Sequence, residues 1–276
     1  MNRMRTAMGA ALVLCAVPAC KQQEAADQGP AADAATADTI DGTWKADLAS
    51  VQIDEKPSVY LLKDGTYACS TCVPPLTVKA DGAFHAVADR PYYDSMSVTM
   101  VDDKTVKTVS RKGDRVIGET TITAAPDGKR LTFEFKDTSV LNAPPVTGKG
   151  TEVRVADAPA GAHVISGSWK TEKYDNVSDE GLTFSFATEG DTVRMSSPSG
   201  TSYEAKFGGP AVAVKGDTGG TTTSVERLAP NSIRETSMRG GKVVNVTTYT
   251  ASGGKLNAVS ENKLQGSTMK YAAVKQ

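Results

Sequence analysis

Two cysteines separated by two residues, Cys69 and Cys72 in "YACSTCVPP", are the first candidates for chemistry in this chain. This spacing occurs in redox motifs, in zinc sites and in structural disulfides. A redox motif needs a helix N-terminus to lower the thiol pKa, but strand-like "GTYA" precedes the pair and two prolines follow it. A structural zinc site needs four ligands, and beyond the first 20 residues only His85 and His163 are left to complete one.

We therefore predict a structural disulfide between Cys69 and Cys72, which suits an exported protein in an oxidising compartment. A surface redox or metal site and a pair of free thiols are the alternatives.

The other polar residues match no catalytic or cofactor motif. The acidic segment "DNVSDEG", which starts at residue 175, lacks the alternating oxygen ligands of a calcium loop. "TGKG" at residue 147 lacks the upstream glycine of a phosphate-binding loop. No Gly-x-Ser-x-Gly occurs, and nothing in the sequence pairs two carboxylates for glycoside hydrolysis. We expect no enzyme activity, no metal and no cofactor.

The first 20 residues, "MNRMRTAMGAALVLCAVPAC", place two arginines before an uncharged run that ends in small residues. This is the pattern of a secretory signal. The closing "VPAC" resembles the lipobox of bacterial lipoproteins. The resemblance implies that residues 1–19 are removed and that Cys20 becomes an acylated N-terminus, anchored in the lipid bilayer. An ordinary signal peptide, cut after Ala19 to release a soluble protein, is the alternative.

Residues 21–38 contain no large apolar side chain. Such a segment cannot bury enough surface to offset its ordering entropy, so residues 20–38 are predicted to be a lipidated cysteine followed by a flexible tether. Lys21 after the cysteine resembles outer-membrane sorting in enterobacteria. The expected location is therefore the bacterial cell envelope, lipid-anchored at the outer membrane and facing the periplasm.

The rest of the chain repeats itself. Its only two tryptophans lie in "GTWK" at residue 42 and "GSWK" at residue 167. "SVTMVDDKTVKTVSRKGDRVIGETTIT" (97–123) aligns without gaps with "SVERLAPNSIRETSMRGGKVVNVTTYT" (224–250). The sequence thus predicts an internal duplication, with these parts: a first repeat at 39–155, a linker at 156–165 and a second repeat at 166–276.

Both repeats carry the signals of antiparallel sheet. Runs rich in valine, threonine and tyrosine alternate in side-chain character and are separated by Gly-Asp, Asp-Gly and Gly-Gly turns. We count about eight short strands per repeat, and closure into a barrel would remove exposed strand edges. The predicted fold is all-β, with two tandem antiparallel up-and-down barrels. An open sandwich per repeat is the alternative.

The Gly-x-Trp phrases, Gly42 with Trp44 and Gly167 with Trp169, resemble the first strand of lipocalins and related calycin barrels. In that family the tryptophan packs across the closed end of the barrel. The whole two-repeat chain also resembles bacterial exported lipoproteins with no assigned activity. The resemblance implies that each repeat is a lipocalin-like barrel with an apolar ligand at its mouth.

An eight-stranded barrel is just wide enough to hold one small ligand. We therefore expect a non-enzymatic envelope lipoprotein that binds a small hydrophobic ligand or a lipid. The alternative is a structural or protein-interaction module with solid barrels, whose extra loop "TSVLNAPPVT" (138–147) contacts an envelope protein. Nucleic acid is not an expected partner, because the formal net charge is −1 and neither repeat is basic.

Overall fold

The computed structural model describes residues 38–276. The predicted signal at 1–19, the acylated Cys20 and the tether up to residue 37 lie outside the described residues. Within residues 38–276, no helix has the length and the apolar character needed to cross a membrane.

β-Strands dominate the described part, because alternating valine- and threonine-rich runs are cut by glycine turns at short intervals. One short helix, α1 (Asp179–Leu182), and a 3-10 turn at Leu48–Ser50 accompany them. The strands are β1 Gly42–Ala46, β2 Gln52–Asp54, β3 Ser58–Lys63, β4 Thr66–Cys69, β5 Leu76–Lys79, β6 Phe84–Ala86, β7 Ser95–Met100, β8 Thr105–Lys112, β9 Arg115–Ala124, β10 Arg130–Asp137, β11 Val146–Ala156, β12 Gly167–Val177, β13 Thr183–Glu189, β14 Thr192–Ser196, β15 Ser202–Lys206, β16 Val212–Ala213, β17 Thr222–Ala229, β18 Ser232–Arg239, β19 Lys242–Ser252, β20 Lys255–Asn262 and β21 Ser267–Lys275.

These strands form two nearly closed antiparallel barrels of ten strands each, which confirms the prediction of an all-β fold with tandem barrels. The Trp169 barrel has the order β5-β4-β3-β12-β11-β10-β9-β8-β7-β6. The Trp44 barrel has the order β15-β14-β13-β1-β21-β20-β19-β18-β17-β16, and β2 pairs with β21 beside it. Ten strands replace the expected eight because pieces as short as β6 and β16 show no periodicity in the sequence.

The two Gly-x-Trp strands are exchanged between the barrels. β1 belongs to the first repeat but lies between β13 and β21, both from the second repeat. β12 begins the second repeat but lies between β3 and β11 of the first. The predicted ranges 39–155 and 166–276 therefore bound the sequence repeats, whereas each barrel combines strands of both.

The cause of the exchange is local pairing across the linker. β11 and β12 follow one another in the chain and pair antiparallel, with Arg154 opposite Trp169. The chain thus completes the Trp169 barrel with β12 before α1 leads it into β13. The matching place in the Trp44 barrel is left for β1, which the chain has already supplied.

Each tryptophan is held in the core of its barrel in the same way. The indole N–H of Trp44 donates to the carbonyl oxygen of Ile40 at 2.7 Å, and that of Trp169 donates to Ile165 at 2.9 Å. Both indoles are fully buried, each in the hydrophobic cluster of its own barrel. Since a buried indole N–H needs an acceptor, the isoleucine four residues earlier fixes the ring.

The glycine of each phrase makes room for a cation above the ring. Gly42 and Gly167 have φ angles of +127° and +124°, and a Cβ atom on either would clash with Lys275 or Arg154, respectively. The Arg154 guanidinium carbon lies 4.0 Å from the centre of the Trp169 ring. The guanidinium nitrogens also donate three hydrogen bonds to backbone carbonyls. Lys275 Nζ lies 5.4 Å from the Trp44 ring. Glycine therefore suits this position, because it leaves room for the lysine or arginine side chain that lies over the tryptophan ring.

The exchange predicts that the Trp44 barrel needs the start of the chain. A chain shortened to residues 55–276 loses β1 and β2, which leaves facing edges of β13 and β21 unpaired. We expect loss of cooperative unfolding in the Trp44 barrel, while the Trp169 barrel is retained. Urea unfolding followed by circular dichroism and by Trp169 fluorescence measures both.

The full chain with Trp44→Phe is the matched control, because it lacks the same indole but keeps the strand. A peptide of residues 38–54 added in trans should restore the lost transition. An unchanged unfolding curve for the shortened chain would contradict the exchange.

Candidate functional site

An apolar cavity of about 430 Å³ lies where the two barrels meet. Strands β10, β11 and β12 of the Trp169 barrel form one side, and β13, β19, β20 and β21 of the Trp44 barrel form the other, with α1 between them. The aromatic residues that line this inter-barrel cavity are Phe135, Tyr174, Phe184, Tyr249 and Tyr271. Small-molecule sites in proteins are typically concave, mostly apolar cavities in this range of volume.

Strand alternation places the rings of the Trp44 barrel. Phe184 and Phe186 are two residues apart on β13 and share one face, as do Thr247, Tyr249 and Ala251 on β19. Tyr249 lies 5.8 Å from Phe184 and 5.1 Å from Phe186, measured between ring centres. Phe186 is buried, whereas Phe184 and Tyr249 reach the cavity wall. The aromatic cluster thus joins the cavity to the barrel core.

Glycines in β11 place the rings of the Trp169 barrel. Phe133 and Phe135 on β10 face Gly150 and Gly148 on β11, and a Cβ atom on either glycine would strike the opposite ring. The rings therefore lie across the strand, a packing that only glycine permits. Tyr174 meets Phe133 edge-to-face, with 5.8 Å between the ring centres. Phe135 and Tyr174 then project into the inter-barrel cavity.

The extra loop of the first repeat, residues 138–147, packs against the second repeat. Val140 and Ala143 occupy the space where Gly200 would carry a Cβ atom, and Val146 does the same at Gly181 of α1. Val146 also lines the cavity. The segment that breaks the symmetry of the repeat thus makes contacts within the chain and forms part of the cavity wall.

A glutamate lies inside the Trp44 barrel beside the cavity. Glu235 on β18 shares a face with the buried Ile233, and it sits directly opposite Thr247, which lines the cavity. The Tyr203 hydroxyl donates a hydrogen bond to the Glu235 carboxyl. Burial raises the pKa of Glu235 to about 7, although the Tyr203 hydrogen bond acts in the opposite direction.

The Trp169 barrel holds a second partly buried carboxyl, Glu152 on β11. Burial, and secondarily the charge of Glu55, raises its pKa to about 7. Glu55 Oε1 accepts the N–H of Thr171 at 2.7 Å, just past the point where the pairing of β12 with β3 ends. The pKa of Tyr60 is raised to about 12 by burial and by Glu152.

Neither carboxyl was among the candidates chosen from the sequence. The alternation of Ile233 with Glu235 was visible, but an inward-facing glutamate and an outward-facing one look alike until the register is known. The nearness of Glu55 and Glu152 was hidden because Glu55 lies in the loop between β2 and β3 and Glu152 lies on β11, far apart in the chain.

The tryptophans and cysteines that the sequence singled out do not line the cavity, whereas Val146 of the 138–147 loop does. Trp44 and Trp169 sit in the barrel cores. Ala46, two residues after Trp44 on the same face of β1, is the residue of that strand that lines the cavity. Cys69 and Cys72 form the predicted disulfide. Cys69 is buried in the core of the Trp169 barrel with Cys72 packed against it, so the pair is part of the core rather than a surface site.

The two raised carboxyl pKa values predict an unusual pH profile of stability. In the unfolded chain both groups titrate near 4.5, so between pH 4.5 and 7 the folded state binds more protons. Their contribution is complete below pH 4.5 and is lost as the pH rises to 7. We expect the free energy of unfolding to fall between pH 5 and 8 by on the order of 2–3 kcal/mol for each carboxyl.

Urea unfolding at several pH values measures this profile. Glu152→Gln and Glu235→Gln should each remove the part of the fall in unfolding free energy that the replaced carboxyl contributes. Glu134→Gln, at an exposed carboxyl, should leave the profile unchanged. A free energy of unfolding that rises from pH 5 to 8 in the unaltered protein would contradict the assignment.

Comparisons with known proteins add little to this geometry. No protein-family model matches the chain, and no curated protein matches it. Among solved structures, the chain is similar to the crystal structure of TolB from Acinetobacter baumannii at 13% sequence identity and a TM-score of 0.16. The match covers 83% of this chain and 65% of that chain, just under two thirds of its length. Similarity at this level assigns neither a family nor an activity.

Proposed function

We propose that the protein binds a small, largely apolar molecule in the inter-barrel cavity and catalyses no reaction there. The observation that carries the proposal is the cavity wall itself: five aromatic rings and a set of aliphatic side chains, contributed by both barrels around about 430 Å³. Folding alone would favour filling such a space, since an apolar void forfeits packing contacts.

The proposed site differs from the expectation drawn from the lipocalin resemblance. There the ligand would sit at the mouth of one barrel, whereas here both barrels supply the wall and α1 lies beside it. In the alternative of an interaction module, the 138–147 loop offers the exposed Leu141 as a contact, although Val140, Ala143 and Val146 of the same loop pack against Gly200 and Gly181 of this chain.

We further propose that the protein is a lipoprotein of the bacterial cell envelope, held in the bilayer through acylated Cys20 at the outer membrane. Support comes from the sequence: a signal-like segment, "VPAC" and a polar spacer precede the first barrel. Acyl chains on the terminal cysteine provide stable anchoring where one chain alone binds marginally. The cavity would then work close to a membrane surface, from which an apolar ligand can be taken up.

Filling the cavity with a larger side chain should weaken the binding of an apolar ligand. Leu182 of α1 lines the cavity, and Leu182→Trp would place an indole in it. We expect the affinity for a neutral solvatochromic dye to fall at least tenfold, a loss of about 1.4 kcal/mol or more. Fluorescence titration measures the affinity, and native mass spectrometry of the unaltered protein tests for a co-purified ligand.

Leu228→Trp is the matched control, since Leu228 is 40% exposed on β17 and is not part of the cavity wall. It should bind the dye as the unaltered protein does. Equal affinities for both variants, at unchanged thermal midpoints, would show that the dye binds elsewhere.

Anchoring is tested by Cys20→Ser. Without the thiol no thioether to lipid can form, so the protein should move from the membrane fraction to the soluble fraction. Cys15→Ser, five residues earlier in the same segment, should stay in the membrane fraction. Retention of the Cys20→Ser protein in the membrane fraction would overturn the proposed anchor.

A further inference from the structure

The described wall of the inter-barrel cavity is uncharged, and a carboxyl group lies behind it. The wall contains no lysine, arginine, histidine, aspartate or glutamate among residues 38–276. One carboxyl behind this wall is that of Glu235, across the β18–β19 pair from Thr247. At this part of the wall, where no described lining residue is charged, a ligand with a polar end therefore lies close to a potential anion.

Glu235 is only partly used by the protein. Tyr203 donates a hydrogen bond to one carboxyl oxygen, Oε1, and no other donor among the described residues bonds to this side chain. No described lysine or arginine forms an ion pair with it. Val225 on β17 and Thr247 on β19 flank it. The second carboxyl oxygen can thus accept a hydrogen bond from a ligand.

A polar cluster at the cavity wall includes Thr247, the residue directly opposite Glu235. Thr247 and Ser260 line the cavity, and their oxygens lie 3.1 Å apart. The Asn245 amide donates to both, at 2.8 Å to Thr247 and 3.1 Å to Ser260. This polar corner, Asn245 with Thr247 and Ser260, interrupts an otherwise apolar wall and marks where the polar end of a ligand would lie.

We infer that the cavity takes an amphiphile with an apolar tail and a hydrogen-bond-donating head that is cationic or neutral, an amine or an alcohol, and that it rejects carboxylate amphiphiles such as fatty acids. This inference rests on the proposed function and names the ligand class of the same site. A donor head bonds to Glu235 through the polar corner, and a cationic head forms a charge-assisted bond. A buried carboxylate would face an acid and no counter-charge, which is costly.

The groups facing Glu235 give the pH dependence a single source. Tyr203 on β15, Tyr249 on β19 and Tyr271 on β21 face it, and β17 contributes the uncharged Val225. Burial holds the pKa of all three tyrosines above their usual range. Between pH 5 and 8 only Glu235 titrates in this group, so amine affinity rises with pH while alcohol affinity does not.

The test compares dodecylamine, dodecanol and dodecanoate as competitors of the neutral dye, the amine and the carboxylate below their critical micelle concentrations and the alcohol below its solubility limit. At pH 8 we expect the amine to bind at least tenfold more tightly than the carboxylate, with the alcohol between them. Glu235→Gln should remove most of the amine preference and its pH dependence. Glu134→Gln, at an exposed glutamate on the outside of the Trp169 barrel, should retain both.

The comparison in the unaltered protein is decisive even if Glu235→Gln fails to fold. Dodecanoate binding as tightly as dodecylamine overturns the inference but leaves the proposed function standing. Binding of neither the dye nor any competitor overturns the proposed function and the inference with it. An amine preference that Glu235→Gln leaves unchanged shows that another group selects the ligand, and it also overturns the inference.

Discussion

The need to pair the edges of each sheet governs this structure. β1 satisfies the edges of β13 and β21, and β12 satisfies those of β3 and β11, so neither barrel closes with strands of one repeat alone. Because each barrel is closed by a strand that the other repeat supplies, the two barrels are held side by side. The inter-barrel cavity is a product of this arrangement, since its wall contains side chains from both barrels.

The interior of the Trp44 barrel combines two kinds of chemistry. The core around Trp44 is filled with aliphatic and aromatic side chains, and the indole N–H of Trp44 is satisfied by Ile40. The part towards the cavity carries Glu235, tyrosine hydroxyls and the Asn245 network. A buried acid with a single hydrogen-bond donor costs stability, which is a common property of sites selected for binding rather than for folding.

Much of the fold was accessible from the sequence, for physical reasons that can be named. Alternating β-branched residues and glycine turns predict the strands, and the lack of a following helix or of further ligands at Cys69 and Cys72 predicts their disulfide. The exchange could not be predicted, because β1 and β12 carry nearly the same phrase and either fits either barrel. The cavity could not be predicted either, since Phe135 reaches it only through its register with Gly148. One signal was readable but missed: isoleucine precedes tryptophan by four residues in both repeats.

The strand exchange also has an evolutionary meaning. Two separate copies of a one-repeat protein that lent each other their first strands would form a strand-swapped homodimer with this pairing. The linker between β11 and β12 joins the two halves of such a dimer into one chain. Covalent connection replaces an encounter between molecules by a high effective concentration, so the assembly no longer depends on how much protein is present. Joining the halves also let them diverge, and the 138–147 loop and Glu235 each occur in only one of them.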